Sequence, residues 1–151
     1  MTTLKDRLTA DMRAAMKARD EMTTSTLRMA LAAVGTAEVA GKAKRELSDE
    51  EVLAVLAKES KKRVEAATAF AEAGRVEQAA KERAEEQILA RYLPQQLSDV
   101  EIEELVARTL AAADFGGKAA MGQAMKAVQA AAQGRADGAK LAAAVRRQLG
   151  V

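Results

Sequence analysis

The sequence contains neither cysteine nor histidine among its 151 residues. The absence of cysteine excludes disulfides and thiol nucleophiles, and the absence of both residues excludes zinc sites of the usual kind and imidazole acid–base chemistry. Any catalysis would have to use carboxylates, lysines, hydroxyls or the single tyrosine. We therefore expect no metal, no cofactor and no catalytic residue in the chain acting alone.

Aromatic residues make up only 2% of the sequence, and charged residues interrupt every long apolar run. No segment is apolar enough to predict a membrane span, and the first residues lack the apolar stretch of a secretory signal. We therefore expect no membrane partner and a cytoplasmic protein. Because no strand-like alternation is present, the pattern predicts an all-α fold with a core of aliphatic residues, methionine and alanine.

The single proline divides the chain. Pro94 cannot continue a helix, and Ser98 with Glu101 forms the pattern of a capping box that begins another. We therefore predict a multihelical N-terminal domain of about four helices at residues 1–93 and a small three-helix C-terminal domain at residues 94–151. The hinge and structural positions of this arrangement are Tyr92, Pro94, Ser98, Gly122, Asp137 and Gly138.

Helical periodicity and capping patterns set the expected elements. The first predicted helix begins after a cap at Thr2 or Thr3 and ends in the polar run 17–21. The others run from Asp20 to about Gly41, from Ser48 to Gly74, from Arg75 to Leu93, from Asp99 to Ala113, from Lys118 to Ala132, and from Asp137 towards the C-terminus. We expect the methionines to fill the core, Gly122 to permit close helix packing, and Val76 and Val100 to lie on apolar faces. The carboxylates Glu82, Glu85 and Glu86 are interpreted as an exposed, solvated group.

The net charge of +2 is small, but the charges are distributed unevenly. Residues 95–115 carry five acids and one cation, whereas residues 116–151 carry six cations and one acid. A local excess of lysine and arginine is typical of phosphate binding, and also of an ordinary solvated face. A second group of cations, at residues 58–63, is open to the same two interpretations.

Three motifs of the second half, read in order, resemble the signature of the YqeY family. They are Tyr-Leu-Pro-Gln-Gln-Leu-Ser at 92–98, Met-Gly-Gln-Ala-Met at 121–125 and Gly-Arg-Ala-Asp-Gly at 134–138. The segments at 26–29, 58–63 and 74–75 resemble motifs of its first half. The family often has glycine where Lys126 follows Met125, and this departure predicts a longer sixth helix.

The YqeY family is related to the tail domain of the B subunit of the bacterial glutamine-dependent aminoacyl-tRNA amidotransferase. That tail is implicated in gripping tRNA, and a similar module is appended to some glutaminyl-tRNA synthetases. The resemblance implies a non-catalytic accessory protein that binds tRNA or assists tRNA-dependent amidation or aminoacylation. Its implied partners are tRNA, amidotransferase subunits or an aminoacyl-tRNA synthetase.

Two alternatives stay open. The chain could be a helical protein–protein interaction module with no RNA role, or a component of a carbon–nitrogen ligase that uses glutamine as amide donor. If RNA is the partner, lysine and arginine would neutralise phosphates without reading bases, because the sequence has no aromatic stacking platform. The predicted contact residues are Lys61, Lys62, Arg63, Lys118, Lys126, Arg135, Lys140, Arg146 and Arg147.

Overall fold

The computed structural model describes residues 2–112 and 120–150, and these residues form seven helices and no strand. The helices are α1 (Leu4–Lys17), α2 (Glu21–Glu38), α3 (Asp49–Glu72), α4 (Val76–Ala90), α5 (Asp99–Ala111), α6 (Met121–Ala132) and α7 (Gly138–Leu149). The predicted all-α fold, with four helices followed by three, is confirmed. The chain divides into two compact units, Met1–Leu93 and Pro94–Val151.

Side-chain caps begin three helices of the first unit. Thr3 and Ser48 form capping boxes at α1 and α3, and the Asp20 carboxylate accepts a hydrogen bond from the backbone N–H of Thr23 at α2. Each cap satisfies a backbone donor that the helix itself leaves free, which stabilises the helix by about 1 kcal/mol. These short-range interactions explain why the starts of α2 and α3 were predictable.

The core of the first unit lies where all four helices meet. Its buried residues are Leu8, Leu27, Ala30, Val34, Val52, Leu56, Ile88 and Leu89, with Tyr92 and Leu93 packed against them. Helix α4 ends at Ala90 and not at Leu93, because the last residues form a tighter turn in which Leu93 N–H donates to the Ala90 carbonyl. The predicted left-handed stop after α3 is confirmed, with φ of 76° at Gly74.

The second unit is a three-helix arrangement with its own core. Its buried residues are Ile102, Val106, Ala124, Val128, Ala132, Leu141, Ala144 and Val145. The predicted capping box of Ser98 and Glu101 is present at the start of α5. Asp137 occupies the position before α7 and Gly138 is the first helical residue, but the Asp137 side chain makes no capping hydrogen bond.

Several predicted packing positions are wrong. Val76 and Val100 are exposed, as are Met16 and Met29, because each lies beside and not on the buried stripe of its helix. Gly122 is exposed, and a Cβ added there would meet no atom within 4 Å, so it does not serve close packing. The predicted ends of the fifth helix and start of the sixth, at Ala113 and Lys118, lie outside the described residues.

Within residues 2–112 and 120–150, no helix combines the length and apolarity that crossing a bilayer requires.

Candidate nucleic-acid interface

Helix α7 carries the predicted cations Lys140, Arg146 and Arg147 and has no acidic residue of its own. Two of them face α5: Lys140 Nζ lies 3.4 Å from the Asp99 carboxylate, and Arg147 pairs with Glu103. Asp99 and Glu103 are four residues apart, so they lie on one side of α5. The acidic run of α5 thus faces part of the basic tail.

These α5–α7 ion pairs are solvent-exposed. The side chains of Lys140 and Arg147 are 61% and 63% exposed. The hydrogen bond from Arg147 lowers the pKa of Glu103 most, and the one from Gln148 lowers it further, so the carboxylate is ionised at neutral pH. Exposed ion pairs contribute only about 0–1 kcal/mol, so a phosphate could replace either carboxylate at low cost.

Two further predicted cations of the second unit are exposed. Lys126 lies on the outer face of α6 and Arg146 on the outer face of α7, and neither has an ion-pair partner among the residues that the structure describes. Their positions follow from helix geometry, since each lies two residues after a fully buried alanine, on the side away from the core. Lys118 lies outside the described residues.

Arg135 is half-buried and has a structural contact. Its Nε donates to the Gln95 carbonyl at 2.8 Å, and its own carbonyl accepts the Leu97 N–H at 2.7 Å. Gln96 Nε2 also reaches the Gly134 carbonyl at 3.5 Å. The turn before α7 therefore holds the segment that follows Pro94 by backbone and side-chain hydrogen bonds.

The three predicted cations on α3 do not share an exposed face. Lys61 and Lys62 are exposed, and Lys62 Nζ pairs with Glu59 at 3.0 Å. Arg63 is only 7% exposed, because consecutive helical residues point about 100° apart and this one faces the interior. A guanidinium in that position is not available to a phosphate, so Arg63 is left out of the proposed interface.

Arg63 instead lies at the centre of a buried charged network. Its Nη1 donates to the Glu59 carbonyl oxygen at 3.0 Å, its Nη2 reaches Met29 Sδ at 3.8 Å, and its Nε lies 3.4 Å from Glu85 Oε2. The Nε–Glu85 contact lacks hydrogen-bond geometry. The interpretation of Glu85 as an exposed carboxylate is wrong, since its side chain is only 5% exposed. Burial is the main cause that raises the pKa of Glu85, and repulsion from Glu82 raises it further.

The hinge tyrosine also belongs to a network in the first unit. Tyr92 Oη donates to Asp11 Oδ2 at 2.6 Å, and the Arg7 guanidinium lies 4.8 Å from the ring centre. The pKa of Tyr92 is raised to about 12, mainly because the hydroxyl is partly buried and also because of the hydrogen bond to Asp11 and its negative charge. Tyr92 is therefore neutral at physiological pH and serves as an anchor for the end of α4.

Four cations that we did not predict surround the α1–α2 connection. They are Arg13, Lys17, Arg19 and Arg28, and none has a carboxylate partner in the described parts of the chain. Arg19 and Arg28 line a shallow cavity of about 450 Å³. In the sequence, the run from Lys17 to Glu21 indicated only the end of a helix. Arg28 lay alone beside an apolar stripe, so no pattern marked it as part of a site.

The fold and these surfaces define an all-helical protein in two units, and its described residues include no cluster of acidic side chains able to hold a metal ion. The model of the family described as Yqey-like protein matches residues 5–149. The chain therefore belongs to the YqeY family, as its motifs indicated. Among curated proteins no significant match is found.

Proposed function

We propose that this YqeY-family protein is a non-catalytic accessory protein that binds tRNA through α7. The observation that carries the proposal is that α7 exposes Lys140, Arg146 and Arg147 on a helix without any acid. Lys126 on α6 adds a fourth exposed cation to the same unit. Arg135 is excluded as a primary contact because its guanidinium is engaged with the Gln95 carbonyl.

The physical basis is phosphate neutralisation. A phosphate that approaches α7 takes the place of the Asp99 or Glu103 carboxylate, and the released counterions drive association. Such contacts position the RNA and do not read its sequence, and the 2% aromatic content leaves little surface on which bases could stack. Recognition of one tRNA over another would therefore depend on RNA shape or on a protein partner.

Binding of unmodified tRNA to the full chain over a series of salt concentrations tests the proposal. The variant K140Q/R146Q/R147Q removes the three cations of α7. The control K42Q/K44Q/R75Q removes the same charge from exposed residues of the first unit that have no described ion pair. Each phosphate contact contributes about 0.7–0.9 to the slope of log affinity against log salt, so the α7 variant should lose roughly 2–3 units of slope.

The control variant should keep both the affinity and the slope of the unmodified protein. An equal loss in both variants would mean that only net charge matters, and an unchanged slope in the α7 variant would remove α7 as the interface. Circular dichroism of each variant checks that helix content is retained.

We propose, as a second step, that RNA binding assists amidation or aminoacylation by a partner enzyme. The support is membership of the YqeY family, for which the resemblance implies a relationship to the amidotransferase tail, together with the absence of cysteine and histidine from the chain. Glutamine-dependent amidation of misacylated tRNA, measured with the partner subunits and with increasing amounts of this protein, tests it. No change in rate at any ratio would contradict an assisting role.

A further inference from the structure

A shallow cavity lies between the end of α1 and the first two turns of α2. Its volume is about 450 Å³, and its lining residues are Met16, Arg19, Glu21, Thr24, Ser25 and Arg28. The α2 contributors recur at helical spacing, so they form one face of that helix. This volume falls within the range of small binding pockets, although the cavity is open to solvent.

Two guanidinium groups line this cavity without a carboxylate partner. Arg28 is exposed, and its one side-chain hydrogen bond among the described residues is from Nη2 to Met16 Sδ, at 3.9 Å. Arg19 has no side-chain partner in the same part of the chain, and Glu21, the one acid of the lining, is ion-paired to neither. Both arginines are therefore available to an external anion.

Apolar surface lies next to these charges. Met16, which lines the cavity beside Arg28, is 50% exposed. Methionine side chains adapt to irregular apolar partners, and arginine and methionine are both enriched in protein–protein interfaces. A phosphate backbone would gain nothing from the thioether surface, so the combination favours a protein ligand over RNA.

The backbone of Arg19 adds an independent observation. Its φ of 58° lies in the left-handed region, which glycine adopts freely and arginine adopts only at a cost in free energy. Arg19 connects α1 to α2, and its side chain lines the cavity. The turn thus carries an arginine where a glycine would be more stable.

We propose that this α1–α2 cavity is the docking site for an acidic segment of a protein partner. A carboxylate of the partner lies between Arg19 and Arg28, and an adjacent aliphatic or aromatic side chain packs on Met16. The positive field of Arg13 and Lys17 on the preceding turns of α1 attracts such a segment. This site belongs to the first unit, whereas the RNA interface is proposed on α7 of the second unit.

Selection of peptides from a random display library against the full chain tests the proposal. We expect enriched peptides to carry Asp or Glu beside a large apolar residue. One enriched peptide, labelled with a fluorophore, is then titrated by anisotropy with the unmodified protein and with the variants R28Q, R19G and K42Q/K44Q. We expect R28Q and R19G each to weaken binding about tenfold, and the exposed-lysine control to leave it unchanged.

The R19G variant separates binding from folding. It removes a guanidinium and relieves the left-handed backbone at once, so the protein should become more stable while it loses affinity for the peptide. Absence of enrichment, enrichment of peptides without acids, or affinity unchanged in both R28Q and R19G would overturn the proposal. A tRNA affinity that falls in R28Q but not in the α7 variant would also overturn it, because the cavity would then bind phosphate.

Discussion

Replacing Arg63 with Met should destabilise the first unit more than removing any of its exposed charges. Methionine keeps most of the side-chain length but leaves Glu85, which is 5% exposed, without its nearest cation at 3.4 Å. Removing one partner of a buried ion pair typically costs about 3–5 kcal/mol. This is a large part of the 5–15 kcal/mol by which domains are usually stable.

The double variant R63M/E85L isolates the cause. It removes both charges and supplies apolar volume, and replacing a whole buried pair in this way is often neutral or stabilising. Glu59 loses its ion pair with Arg63 in both variants but keeps the one with Lys62 Nζ, at 3.0 Å. The loss of the Arg63–Glu59 pair therefore changes the free energy of unfolding equally in both variants. We therefore expect the double variant to recover most of the stability that R63M loses.

Urea unfolding followed by the fluorescence of Tyr92 provides the assay. Tyr92 is the only tyrosine, there is no tryptophan, and Tyr92 packs against the core of the first unit. The signal therefore reports the unit that contains Arg63. Far-UV circular dichroism, measured in parallel, reports both units and shows whether they unfold together.

The loss in R63M should depend on pH. The pKa of Glu85 is raised above its ordinary value of 4.5 by burial and by Glu82, and Arg63 is the largest opposing influence. A carboxyl with a raised folded pKa binds protons more tightly in the folded state, so its stability contribution falls as pH rises above 4.5. Removing Arg63 raises that pKa further, so the difference between R63M and the unmodified protein should be larger at neutral pH than near pH 4.5.

Two results would refute this account of the network. A loss below about 1 kcal/mol in R63M at neutral pH would show that Glu85 is not held as a buried charge. A double variant as unstable as R63M would show that Arg63 acts through its packing and not through its charge.

Three further predictions concern single positions. Spectrophotometric titration should show a Tyr92 pKa of about 12, and D11N should lower it while leaving it above 10.0, because burial, the largest cause, remains. G122A should raise stability by about 0.5 kcal/mol in urea unfolding, since the added Cβ meets open space, whereas a loss would restore the close-packing interpretation. R19G should raise the stability of the first unit by about 1 kcal/mol, and a decrease would mean that the Arg19 side chain makes a stabilising contact.

The fold was predictable where local chemistry decides the structure. Ser48 and Ser98 satisfy helix donors only three residues away, and Gly74 adopts a left-handed conformation that favours glycine. Pro94 lies at the start of the second compact unit, where no helix can continue through it. Each of these signals is contained in a few adjacent residues.

The pairing of the charges was not predictable for the opposite reason. Arg63 meets Glu85, and Arg147 meets Glu103, through helix packing that joins residues far apart in the chain. Periodicity places a charge beside an apolar stripe but does not show which helix covers it. The sequence therefore did not indicate that Arg63 is buried or that part of the basic tail faces α5.

The α1–α2 cavity was missed because its members are unremarkable individually. Met16 continues the stripe of Leu4 and Leu8 in the sequence, yet in the structure it is half exposed. Arg28 has the spacing of a surface arginine, and only the structure shows that Met16 is its neighbour and that no carboxylate reaches it within the described residues.

The most direct test of the central claim is the mapping of tRNA on the protein by NMR chemical shifts, which a chain of 16.0 kDa permits. The account predicts that tRNA shifts the backbone signals of α7 around Lys140, Arg146 and Arg147, and leaves those around Arg19 and Arg28 unchanged. Shifts centred on the α1–α2 cavity, or no shifts at low salt, would contradict it.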